Sequence, residues 1–185
     1  MRVVTAPDPL GIAGGEIICF LAGGITGCPD WQSKVIENLE IHDKTFPEQL
    51  DGLVVLNPRR KNFPIDDPDA AMEQITWEFN GLQKMDLFSM YFTDGPSDQP
   101  ICMYELGRNL CRMMQRFPND YPERILISCD PEYRRAQDVK IQTILAFAEK
   151  GNLWKPDLIE KADPLMHAYQ IIRQFKIAKI TKESK

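Results

Sequence analysis

Histidine is scarce in this chain: 185 residues hold two, His42 and His167, in exposed-looking helical or loop contexts with no partner ligand at metal spacing. A zinc signature is therefore missing. Cysteine is present but unpaired in pattern. Cys19, Cys28, Cys102, Cys111 and Cys129 make an odd total with no CxxC, and several lie in apolar runs where a free thiol acts as a small core residue. A reducing, cytoplasmic setting is the simplest account. No apolar run approaches the ~18 residues of a membrane span, and Met1 to Gly15, interrupted by Pro7, Asp8 and Pro9, lacks the apolar segment of a signal peptide. GxGxxG, a P-loop GKS or GKT, and GxSxG are all absent, which disfavours a dinucleotide fold, a P-loop enzyme and a serine hydrolase. The net charge is -5, and no basic tract is interleaved with aromatics. Neither a nucleic acid nor a membrane is an expected partner.

What is there is ordinary for a globular domain: 43% hydrophobic and 26% charged residues in a length suited to one domain spanning 1–185. Residues 1–15 read as an irregular arm. Short apolar runs at Glu16–Ala22, Gly52–Leu56, Asp86–Phe92 and Arg124–Ser128 read as strands. Amphipathic stretches at Pro29–Glu40, Ala70–Lys84, Pro100 onward, Ala136–Lys150 and Pro164–Ile177 read as helices, the last leading a C-terminal segment, 163–185, into a charged tail. This alternation predicts an α/β domain with a mostly parallel sheet.

Ligands of such sheets bind outside the carboxyl ends of the strands. That rule selects Gly23–Gly27, Asn57–Arg60, Thr93–Asp98 and Cys129–Arg135. Gly23, Gly24 and Gly27 allow close backbone approach to a ligand, as any tight turn also would. Trp31 can stack on a base or fill the core. Arg59 and Arg60 can grip a phosphate or carboxylate, or form a solvated pair. Glu78 and Asp98 are further acids near this edge, each able to serve as proton donor or as a plain surface acid.

The stretch Asp86–Arg108 organises the rest. It reads as strand, loop and helix, with Pro100 at the helix start and Glu105 in about the first or second turn among Ile, Cys, Met, Tyr and Leu. Amide dipoles favour its anion while apolar neighbours disfavour it, and a poorly hydrated carboxylate suits attack on a sugar carbon. Gly107 removes a side chain nearby. A dipole-stabilised glutamate beside a packing glycine is the alternative.

Three segments together resemble the nucleoside 2-deoxyribosyltransferase family: Ile18-Cys-Phe-Leu-Ala-Gly-Gly-Ile25, Gln74-Ile-Thr-Trp-Glu78 running on to Met85-Asp86, and Met103-Tyr-Glu-Leu-Gly107. The turn ending in Arg60 and the run Asp130–Val139 are similar to its less characterised branch, so the likeness covers most of 16–150. The resemblance implies a flavodoxin-like (Rossmann-like) three-layer sandwich with about five strands. It also implies a homo-oligomer (a dimer or higher), no metal or redox cofactor, and a small-molecule nucleoside or nucleotide as partner. Glu105 would attack the anomeric carbon and expel the base. The sugar would pass to another base, or to water in a branch that hydrolyses nucleoside 5'-monophosphates. Glu78, and Asp98 with its register one residue off, would contact or protonate the base. The sequence departs from the family at Phe20, where a tyrosine often orients the nucleophile, and at Glu78, usually an aspartate. The first loop offers Gly23, Gly24 and Thr26 where some hydrolases use serines for phosphate. Arg59, Arg60 or Arg108 could take that task. A module that binds nucleotides without catalysis is the reading from a different class.

Overall fold

The computed structural model describes residues 1–151 and 159–183, so the last two residues of the tail lie outside it. Four of its strands come from runs that are buried on both faces or nearly so, as a helix-covered parallel sheet requires. They are β2 (Ile17–Gly23), β3 (Leu53–Asn57), β4 (Leu87–Phe92) and β5 (Ile125–Cys129); β1 (Arg2–Thr5), mostly half-buried, and β6 (Ile159–Lys161) complete the sheet. The order is β1-β3-β2-β4-β5-β6, and every pairing is parallel. The five strands from β3 to β6 form the doubly wound flavodoxin-like order, in which the chain leaves β2 to one side and then crosses to the other at β4.

Side chains alternate along each strand and split the core in two. On one face Phe20, Ala22, Leu56, Phe88, Met90 and Ile127 meet α2 (Ala70–Lys84), α3 (Pro100–Arg116) and α4 (Ala136–Ala148). On the other, Cys19, Leu21, Val55 and Tyr91 meet α1 (Trp31–Thr45) and α5 (Pro164–Glu183). Helix α5 buries Ala168, Ile171, Ile172 and Phe175 against its own sheet.

Two expectations are corrected. The arm at 1–15 is not irregular throughout: Arg2–Thr5 pairs with Leu53–Asn57 as an edge strand, held by the N-terminal ammonium on Asp43 and by Arg2 on Glu16. Its four residues are too short for a periodicity signal. His167, read as exposed, is fully buried between the hydroxyls of Ser89 and Ser128, each 2.8 Å from a ring nitrogen. Burial drives its pKa down to about 3, so it is a neutral core group.

Candidate active site

The chain reverses winding direction between β2 and β4, so the loops leaving their carboxyl ends diverge and open a crevice. A cavity of about 680 Å³ lies there, within the usual range for small-molecule sites. Its floor is Phe20, Ala22, Gly23 and Gly24; Arg60, Gln74 and Glu78 form one wall, and Gln99, Cys102 and Glu105 another. Phe63, Ile65, Ile75 and Ile101 make its apolar rim. Glycine is required at two floor positions. A Cβ at Gly23 (φ 149) would lie 2.2 Å from the Tyr91 carbonyl, and one at Gly24 would lie 2.5 Å from Cys28 Sγ and 2.7 Å from Gln99 Oε1.

Glu105 is the sixth residue of α3, in its second turn, past the free amides of the helix start. Burial first, and the negative charge of Glu78 second, push its carboxyl up to about 7 against a smaller opposing pull from Arg108. The sequence reading balanced dipole against desolvation; here desolvation prevails because the dipole has decayed by the second turn. Glu78 faces the same cavity from α2 and is also raised by burial, against Gln74 and Arg60, which lower it. Two carboxyls in one apolar cavity whose proton affinities are driven above the ordinary range are a pattern suited to acid–base and nucleophilic work.

Of the residues expected at the site, Glu105, Glu78, Phe20, Gly23, Gly24, Thr26 and Arg60 line the cavity. The others are elsewhere. Trp31 is buried in the opposite core, stacked on Tyr91 at 5.0 Å, with its Nε1 donating to the Gly24 carbonyl. It shapes the glycine turn from beneath and has no face for a base. Arg59 is turned away from its neighbour Arg60. Its guanidinium donates to Gln32 and to the carbonyls of Gly24 and Pro29, tying down the first loop. Asp98 points outward into an ion pair with Arg134 at 2.7 Å. Gly107 faces open space, so its missing side chain makes room for nothing. Arg108 stands outside the lining, its guanidinium over the rings of Phe79 and Tyr104 at 5.6 and 5.7 Å.

Sequence reasoning missed Gln74 and Gln99. Gln99, adjacent to Asp98, has the left-handed backbone (φ 53, ψ 53) and is buried. Its amide nitrogen donates to the Thr93 carbonyl while Oε1, against Gly24, has no partner among the described residues. A glutamine carries no spacing signal that could have singled it out. The tyrosine that the family often carries is Phe20 here; its ring fits over Gly81, where a Cβ would come within 2.8 Å.

No curated protein matches the chain. The family model described as "Nucleoside 2-deoxyribosyltransferase like" matches residues 16–116, more than half of the sequence and the whole stretch from β2 through α3 that builds the cavity. The chain belongs to the nucleoside 2-deoxyribosyltransferase-like family.

Proposed function

We propose that the protein transfers 2-deoxyribose between bases through a covalent ester on Glu105. The observation that carries this reading is the convergence of Glu105 and Glu78 on one cavity at the switch point of the sheet. In the first half-reaction the bond from the anomeric carbon to the base nitrogen breaks, its electron pair leaving with the base. A Glu105 oxygen bonds to that carbon, and the proton carried by Glu78 goes to the base. In the second, a ring nitrogen of the acceptor base attacks the same carbon. The ester bond breaks to regenerate the Glu105 carboxylate, and the acceptor's proton returns to Glu78. Apolar surroundings strengthen the attraction between the carboxylate and the oxocarbenium-like transition state. Thr26 and the glycine turn supply polar contacts at the floor, and Phe63, Ile65 and Ile75 give the base an apolar bed.

Ile65, Ile75 and Ile101, which line the cavity, are 86, 63 and 69% exposed. A patch of that kind supports assembly into a homo-oligomer that covers it.

The test is chromatography of purified protein with deoxynucleosides, with and without a free acceptor base. A new nucleoside that needs the acceptor and disappears in Glu105→Ala is the expected result. Substantial turnover in Glu105→Ala refutes the reading. A second reading, hydrolysis of nucleoside 5'-monophosphates, is favoured by Arg60, the one cation lining the cavity among the described residues. Base released without acceptor, from phosphorylated donors alone and lost in Arg60→Met, would establish it.

A further inference from the structure

The proposed transfer places opposite demands on two carboxyls that line one cavity. Glu105 must be the anion when it attacks, and Glu78 must hold the proton that the base takes. The unliganded protein is built the other way round. Gln74, buried one turn before Glu78 on α2, is fixed by three neighbours that leave its amide no freedom. Arg60 Nε, which can only donate, gives a hydrogen bond to Gln74 Oε1 at 2.6 Å. The Pro58 carbonyl, which can only accept, takes one from Gln74 Nε2 at 2.6 Å. The second hydrogen of Nε2 is therefore aimed at Glu78 Oε1, also at 2.6 Å. Flipping the amide would set an oxygen against the Pro58 carbonyl and a nitrogen against Arg60. Arg60 is itself pinned, its Nη2 donating to Glu73 at 2.7 Å and its side chain only 6% exposed. The result is a chain running Glu73–Arg60–Gln74–Glu78 that delivers a fixed N–H to one carboxyl of the pair.

Among the described residues no such donor reaches the carboxyl of Glu105. The hydrogen bond found at this residue goes to its backbone carbonyl, from Asn109. The groups facing it are Glu78 on α2, the Cys102 thiol one turn earlier on its own helix, and Arg108, which is occupied by two aromatic rings. Those facing Glu78 are Gln74, Arg60 and Glu105, with Cys102 also within its field. A hydrogen bond to an ionised acceptor is about twice as strong as one to a neutral acceptor, so an immobile donor on one carboxyl biases which of the two ionises.

We propose that Gln74, held by Arg60, is a positioning residue that assigns the negative charge of the pair to Glu78 and the proton to Glu105 in the unliganded protein. This deepens the proposed function and rests on it for its meaning. The nucleophile is masked until a ligand engages Glu78 or Gln74. The proton then passes from Glu105 to Glu78, which arms both groups at once. The pair keeps a single proton throughout, so the exchange is balanced without any outside acid.

The experiment reads the proton directly. Carboxyl carbon shifts of Glu105 and Glu78 are followed by NMR against pH in the full-length protein labelled at glutamate, assigned through Glu105→Gln and Glu78→Gln. The same titration is then run on Gln74→Met, which keeps the length of the side chain and removes the donor. In the native protein Glu105 is expected to titrate well above Glu78. In Gln74→Met the Glu105 midpoint should fall and that of Glu78 should rise, each by about tenfold in proton affinity. Arg60→Met should move both midpoints in the same directions with Gln74 intact, and should add less when Gln74 is already Met. Native midpoints in the reverse order, or midpoints unmoved in Gln74→Met with a native-like amide spectrum, overturn the proposal. Should Gln74→Met fail to fold, Gln74→Glu is titrated instead. It replaces the donor with an acceptor beside Glu78 and is expected to shift Glu78 upward; an unchanged Glu78 overturns the proposal equally. None of these readouts needs turnover, so a silent transfer assay would defeat the proposed function without touching this result.

Discussion

Replacing Glu105 should make the protein more stable, and the gain should depend on pH. Glu105 is pushed from an ordinary value near 4.5 up to about 7, chiefly by burial and then by Glu78. In the unfolded chain neither influence acts. Well below pH 4.5 both states hold the proton and the site costs nothing. As pH rises the unfolded chain ionises first, and above about 7 the full difference opposes folding. At roughly 1.4 kcal/mol per tenfold change in proton affinity, the span from 4.5 to about 7 amounts to about 3 kcal/mol. Partial access of water to the cavity reduces this to ~2–3 kcal/mol. Glu105→Gln keeps the shape and removes the charge. It should therefore raise the melting temperature by about 5–10 °C near pH 8, given ~2–4 °C per kcal/mol for a domain of this size. Near pH 5 the gain should fall below about 1 kcal/mol. Differential scanning calorimetry of both proteins at the two pH values decides the matter. An equal gain at both would assign the effect to packing, and no gain near pH 8 would mean that water reaches Glu105 freely. Either result refutes this electrostatic account of Glu105.

Two further substitutions probe the cavity from beneath. Phe20→Tyr returns the hydroxyl that family members often carry; it is expected to bring the Glu105 midpoint down from about 7 and to quicken transfer, because a donor on the carboxylate favours its anion. An unchanged NMR titration would show that the ring does not direct its para position at Glu105. Arg59→Met removes the guanidinium that ties down the carbonyls of Gly24 and Pro29. It should lower stability by ~1–3 kcal/mol in urea denaturation and raise KM for phosphorylated and unphosphorylated donors alike. A loss confined to phosphorylated donors would contradict the loop-anchoring role.

The resemblance and the structure agree most closely where physical demands are local. Helix α2 runs over Ala70–Lys84, the bounds that its sequence predicts, and the buried runs of β2 to β5 lie within about a residue of their sequence boundaries. These signals are short-range: a 3.6-residue stripe, an apolar run between turn formers, a proline at a helix start. Edge strand β1 was not legible, since four residues on the rim of a sheet carry no period and acquire their structure from β3 alone.

The sequence by itself determined the alternating α/β pattern, the loops that gather at the carboxyl edge, and the placing of Glu105 and Glu78 on helices leading from that edge. Only the tertiary structure decided which polar groups face inward. Arg59 and Arg60 are adjacent, yet one anchors a loop and the other lines the cavity, because the chain turns between them after β3. Asp98 and Gln99 divide in the same way, the acid reaching outward to Arg134 and the amide packing against Gly24. Trp31 is equally able to stack or to fill, and the position of Tyr91 beneath it settles the choice. The relation between Glu105, Glu78 and Gln74 depends on where α2 and α3 lie on the sheet. Their separation in sequence says nothing of it.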